Sequence, residues 1–144
     1  MCIRDRTGVA TFVSSNQLNI DNNGSVTSVN FDNAIIAAGS SVVKLPGFPY
    51  EDERLIDSTG ALELKDIPER LLVVGGGIIG LEMSCVYQAL GTKITVVELS
   101  DGLIPGCDRD LVRPFQKRVS KLFENIYTST RVSGMESTLS LIHI

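Results

Sequence analysis

Leu71-Leu72-Val73-Val74-Gly75-Gly76-Gly77-Ile78-Ile79-Gly80 decides how this chain folds. Four apolar residues run straight into a G-x-G-x-x-G, and Val96-Val97-Glu98 follows at the distance where a second strand should end. Each glycine of the motif has a separate physical job. Gly75 permits a tight strand-to-helix turn, Gly77 lets backbone approach a diphosphate, and Gly80 lets the helix pack closely on the strand. Gly76, Ile78 and Ile79 complete the loop and are expected at the same cofactor site. The helix N-terminus adds unpaired N–H groups and a partial positive charge. Glu98 follows Gly75 at close to the spacing of about 20 residues expected for the acid that binds a ribose 2′-hydroxyl. A carboxylate there repels a 2′-phosphate, and no Lys or Arg occurs between Glu98 and Arg109, so NAD is expected over NADP.

A lone glycine motif is weak, because glycine-rich turns occur in many loops; the flanking sequence supplies the context. Ile94-Thr95-Val96-Val97 is β-branched and almost continuously apolar, the composition of a buried parallel strand. Between the strands, Ile78, Leu81, Glu82, Met83, Val86, Tyr87 and Leu90 suit a helix that Gly91 stops. The competing reading is a βαβ unit whose glycines serve packing alone. Beyond Glu98, Gly102–Gly106 is a loop, and Asp108 to Phe123 reads as an amphipathic helix with Leu111, Phe115, Val119 and Leu122 on one side. Ile126–Val132 is a candidate for the next strand.

Upstream, Val9–Val13, Gln17–Ile20 and Ser25–Phe31 alternate loosely as short strands, and Asp21-Asn22-Asn23-Gly24 is a hairpin signal. Ala34-Ile35-Ile36-Ala37-Ala38-Gly39-Ser40 reads as a buried apolar strand ending in small residues. Those small residues suit either close approach of a ligand or a simple turn. Pro46, Gly47 and Pro49 mark an extended linker, and Ser58 or Thr59 is expected to cap a short helix through Leu64. A domain boundary is expected between about residues 42 and 70.

The two ends read differently from the rest. Codons for Met1-Cys2-Ile3-Arg4-Asp5 can be chosen whose reverse complement encodes Leu139-Ser140-Leu141-Ile142-His143 and opens Ile144. One inverted DNA word then accounts for both ends, resembling a sequencing adapter translated as protein, so residues 1–6 and 139–144 are set aside from fold reasoning. On that expectation the natural segment runs from about Thr7 to Thr138, inside a longer gene. His143, the chain's one histidine, is then neither a base nor a ligand, and Cys2 drops out as well.

Hydrophobic residues make up 43% and charged residues 21% of the 144, an ordinary balance for a globular protein. The net charge of −4 argues against a nucleic-acid-binding surface. Cys85 and Cys107 form no CxxC or other metal spacing; Cys85 is expected as a small core residue, and no metal site is expected.

Taken in order, Phe31–Ser40, Asp57-Ser58-Thr59-Gly60-Ala61-Leu62, Gly75–Met83, Val97-Glu98 and Pro105-Gly106-Cys107-Asp108-Arg109-Asp110 resemble the flavoprotein disulfide reductases. This is the pyridine nucleotide-disulfide oxidoreductase family, and Leu103-Ile104-Pro105-Gly106 with Asp108 and Asp110 favours its dihydrolipoamide dehydrogenase branch. The resemblance implies an α/β fold: a partial Rossmann-like NAD-binding βαβ domain over 71–138, preceded by a β-rich C-terminal piece of an FAD-binding domain over 7–50, with 51–70 as linker and short helix. It implies two cofactors, FAD and NAD. Ala38, Gly39 and Ser40 match the flavin domain's closing A-T-G motif, with Ala38 where Thr is commoner, and Ala10 matches a position touching the adenine end of FAD. Gly75, Gly77 and Gly80 match the NAD phosphate loop, Glu98 the ribose acid, and Glu82 a polar position near the nicotinamide half.

The activity so implied is FAD-dependent oxidation of dihydrolipoamide with reduction of NAD+. The implied partners are lipoyl domains of 2-oxo acid dehydrogenase complexes and a second copy in a homodimer, in the cytoplasm, with neither nucleic acid nor membrane. The branch's C-x-x-x-x-C pair, its first flavin-binding G-x-G-x-x-G and its C-terminal His–Glu are not in this sequence, so no catalytic residue is assigned and the 144 residues alone are expected to be inactive. Another flavin-dependent NAD(P) oxidoreductase, such as a soluble transhydrogenase, and a non-catalytic nucleotide-binding module are the alternatives.

Overall fold

The computed structural model describes residues 4–138 and the backbone of residues 142–143. Cys2, the side chain of His143 and most of residues 1–6 and 139–144 lie outside the described residues. The chain separates into two compact units, Met1–Ser40 and Ser41–Ile144.

The first unit is an antiparallel meander of β1 (Val9–Ser14), β2 (Gln17–Asn22) and β3 (Ser25–Asn30). Asn23 and Gly24 make the β2–β3 turn with φ of 53° and 88°, the doubly positive backbone of a type I′ hairpin that only such residues adopt cheaply. The Asp21 carboxylate accepts the Gly24 N–H at 2.7 Å and closes the turn. Phe12 and Phe31 meet edge to face with ring centres 5.8 Å apart. The expected strand over Ala34–Ser40 does not form. Residues 34–40 have no regular structure, and Ile35 and Ile36 are 96% and 75% exposed. The physical reason is the partnership a buried strand requires. Its backbone groups need neighbours on both edges and its side chains need cover on both faces, and no described strand pairs with it.

The second unit carries a parallel sheet in the order β4 (Arg70–Val74), β5 (Lys93–Val97), β6 (Asn125–Tyr127). Leu71 pairs with Ile94, Val74 with Val97, and Val97 with Tyr127. Parallel neighbours need a crossover, and α2 (Ile78–Ala89) and α3 (Arg109–Val119) supply the two. The central strand is the most deeply buried: Ile94 and Val96 are fully enclosed, packed with Leu81, Tyr87, Leu103, Val112, Val119 and Phe123. Cys85 packs half-buried against this core.

Two local expectations need correcting. Helix α1 (Ser58–Glu63) is capped by Asp57, not by Ser58 or Thr59; the Asp57 carboxylate accepts the N–H groups of Thr59 and Gly60 at 2.9 and 3.0 Å. Only the residue just outside the helix has the extended backbone that aims an acceptor at those donors. In α3 the buried stripe runs through Val112, Phe115 and Val119 and continues to Phe123, while Leu111 and Leu122 are 65% and 42% exposed. Regular helix ends at Val119, and the following turn, closed by Phe123 N–H on Val119 C=O at 2.8 Å, swings Phe123 inward in place of Leu122. Among the described residues no helix is long and apolar enough to cross a membrane.

Candidate nucleotide site

The strand-to-helix turn between β4 and α2 places the motif glycines in four different environments. Gly75 has φ of 109°, a conformation that L side chains rarely adopt, and its N–H continues the ladder to Val97 C=O at 2.8 Å. Gly76 is buried; a Cβ there would come within 2.7 Å of Leu103 and 3.1 Å of Glu98. Gly77 is the N-cap of α2, and a Cβ on it would meet nothing within 4 Å. Gly80 faces the strand, where a Cβ would sit 2.7 Å from Gly75 O and 3.2 Å from Val73. Backbone is therefore bare and accessible at Gly77 and closed at Gly76 and Gly80. No side chain caps α2, and among the described residues no hydrogen bond is made by the N–H groups of its first turn.

Glu98 stands immediately after β5 and is 7% exposed. Its carboxylate points to the glycine turn: Oε2 accepts the Gly76 N–H at 2.6 Å, and Oε1 accepts the Ser100 N–H at 2.6 Å. Burial is the largest single influence and works to raise its pKa. The backbone donors of Ser100, Gly76 and Leu99 and the Ser100 hydroxyl together outweigh it, and the carboxyl lies below its ordinary value. A carboxylate has about four acceptor positions; the short bonds from Gly76 and Ser100 N–H take one on each oxygen, and a ligand hydroxyl would compete with the Leu99 N–H and the Ser100 hydroxyl for the rest.

Of the other residues singled out from the sequence, Ile78 and Ile79 are 61% and 60% exposed on the first turn of α2, and Glu82 is exposed one turn on. Gly75, Gly76, Gly77, Ile78, Ile79, Gly80 and Glu98 come together around one turn. Ala10 lies on exposed β1, paired with Ile20, and Ala38, Gly39 and Ser40 are exposed and without regular structure. An open cleft on α3, lined by Pro114, Lys117, Arg118, Lys121 and Leu122, includes none of the candidate residues.

Gly76 is expected at the site from its place in the loop, whereas its anchor to Glu98 and the residues around it carry no sequence signal. The second glycine, Gly76, occupies a position the motif leaves free, yet it is the one Glu98 holds. Ser100 completes the seat of that carboxylate, Leu103 closes the space over Gly76, and Ile104 donates its N–H to Gly76 C=O at 2.8 Å. These contacts cross between loops and leave no local pattern in sequence.

A parallel βαβ unit with bare backbone at the helix N-terminus and a carboxylate at the end of the neighbouring strand defines a dinucleotide-binding class of protein. The profile of the family described as pyridine nucleotide-disulphide oxidoreductase matches residues 3–141, and the chain belongs to that family. It is 47% identical over 137 residues to a dihydrolipoyl dehydrogenase of Vibrio parahaemolyticus, covering 95% of this chain and 29% of that protein. It is 51% identical over 131 residues to a dihydrolipoyl dehydrogenase of Haemophilus influenzae, covering 90% and 27%. The chain thus spans less than a third of the length of these curated relatives. Among solved structures, LpdA from Mycobacterium tuberculosis superposes with a TM-score of 0.72 at 22% identity over 94% of this chain and 31% of that one. A NAD-dependent persulfide reductase from A. fulgidus gives 0.69 at 27% identity, covering 93% and 27%.

Proposed function

We propose that this chain carries the NAD-binding half-site of a dihydrolipoyl dehydrogenase, with the dinucleotide's diphosphate at Gly77 and its ribose at Glu98. The carrying observation is the pairing of open backbone at Gly77 with a buried carboxylate directed into the same turn. The residues present fit the group. The first-turn N–H groups of α2, which no side chain caps, match a diphosphate, and the Glu98 carboxylate is an acceptor suited to a ribose hydroxyl. Nicotinamide, once bound, supplies two-electron redox chemistry. The chain's own part is to hold the cofactor: Gly77 admits it, the α2 dipole favours its negative charge, and Glu98 selects against a 2′-phosphate by repulsion.

For the whole protein, the reading is FAD-dependent oxidation of dihydrolipoamide coupled to NAD+ reduction, supported by the similarity to dihydrolipoyl dehydrogenases along nearly all of this chain. Lipoyl domains of 2-oxo acid dehydrogenase complexes are its proposed substrate carriers, a homodimer its assembly and the cytoplasm its location. Residues 7–50 are proposed as part of the flavin domain, with Ala10, Ala38, Gly39 and Ser40 toward FAD, and residues 71–138 as part of the NAD domain. Titration of the chain with NADH and NADPH, followed by nucleotide fluorescence, tests the site. NADH should bind more tightly, and Glu98→Ala should weaken it by about 1–3 kcal/mol, because a ribose hydroxyl loses its acceptor. Equal affinity for both nucleotides, or no change on substitution, would remove Glu98 from the site.

A further inference from the structure

Two consecutive peptide planes determine what the glycine turn offers a ligand. The Gly75–Gly76 plane is set by Glu98, which accepts the Gly76 N–H at 2.6 Å. The Gly76–Gly77 plane is set on its other side by Ile104, whose N–H donates to Gly76 C=O at 2.8 Å. In a trans peptide the C=O and the following N–H point in opposite directions. Pinning Gly76 C=O to Ile104 therefore turns the Gly77 N–H away from the loop, on the residue whose surroundings are open.

Ile104 is an unusual residue to serve as that pin. Its φ of 49° is in the left-handed region, which β-branched residues rarely adopt. A set of hydrogen bonds holds it there. Ile104 opens a four-residue turn through Pro105 and Gly106, the latter at φ 89°, closed by Cys107 N–H on Ile104 C=O at 3.2 Å. The same carbonyl accepts from Arg109 Nη2 at 2.7 Å. Arg109 also donates to Cys107 C=O through Nη2 at 2.9 Å and through Nε at 3.2 Å. Its Nη1 lies over Gly102, where a Cβ would come within 2.7 Å of it. A rigid fork can span both ends of the turn; the single ammonium of lysine cannot reproduce it.

We propose that Arg109 is a positioning residue for the nucleotide loop: by holding Ile104 in its left-handed conformation it fixes the direction of the Gly77 N–H. The purpose of this linkage rests on the nucleotide-binding reading above; the linkage itself does not. It is tested on the nucleotide-free chain by amide exchange and amide chemical shifts. Arg109→Met should speed exchange of the residue 104 amide about tenfold or more, the effect of losing one hydrogen bond to a charged donor, and should shift the Gly77 amide. NADH affinity should fall by a similar factor, and Arg109→Lys should lie between. Glycine takes a left-handed φ at little steric cost, so adding Ile104→Gly to Arg109→Met should restore the Gly77 shift and NADH affinity. A general loss of packing would show no such rescue. If Arg109→Met does not fold, the same comparison is made with Arg109→Lys alone and on the Ile104→Gly background. Unchanged exchange at residue 104 in the arginine variants, or failure of Ile104→Gly to restore Gly77, overturns the proposal. If wild-type chain binds no NADH, the nucleotide reading falls, and the exchange data still decide the linkage.

Discussion

Residues 34–40 and residues 93–97 are two apolar runs with opposite fates. The second is β5, central in its sheet, with Ile94 and Val96 fully enclosed by α2, α3 and neighbouring strands. The first has a composition that suits it equally to an interior, yet Ile35 and Ile36 face solvent and no described strand lies beside it. Hydrophobicity specifies that a segment wants a partner; whether it becomes a strand depends on backbone and side chains elsewhere providing one.

The sharpest way to break this comparison is to truncate both runs. Ile94→Ala should cost about 2–5 kcal/mol in urea unfolding followed by circular dichroism, because it leaves a cavity in the core. Ile35→Ala should stay within about 0.5 kcal/mol, as an exposed substitution does. Equal effects would mean that residue 35 is buried in solution. Within the glycine turn the same contrast is finer. Gly80→Ala should destabilise by about 1–3 kcal/mol, since its methyl meets the Gly75 carbonyl. Gly77→Ala should leave the unfolding midpoint nearly unchanged while weakening NADH binding, because that methyl enters the space left for the ligand. Asp57→Ala should cost about 1 kcal/mol through loss of the α1 cap.

The smallest effect expected is acid sensitivity. Because the folded Glu98 carboxyl lies below its ordinary value of 4.5, its contribution is complete above that pH and is lost as the pH falls through the lower folded value. Glu98→Gln should flatten that part of a stability–pH profile while leaving its slope near neutrality unchanged.

The elements were legible where their determinants are local. The β4–turn–α2–β5 order follows from glycine spacing and apolar periodicity, and the β2–β3 hairpin from Asn23-Gly24. Asp57-Ser58-Thr59 offers three chemically suitable caps, and only the backbone conformation chooses Asp57. On α3, Leu111 and Leu122 fit a helical stripe as well as Val112 does, until the helix stops at Val119. The residues of the turn were readable one by one, but the route Arg109–Ile104–Gly76 was not. A positive φ at isoleucine is contrary to local preference, and it is sustained by bonds that reach across loops.

The Tyr87 hydroxyl, buried on α2, donates to Ala61 C=O on α1 at 2.9 Å. At six residues α1 is too short to persist on its own, so it survives as a passenger on α2. A minimal piece of the second unit cut at Arg70 would therefore leave the buried Tyr87 hydroxyl without its acceptor; the cut belongs upstream of Asp57, where the cap begins.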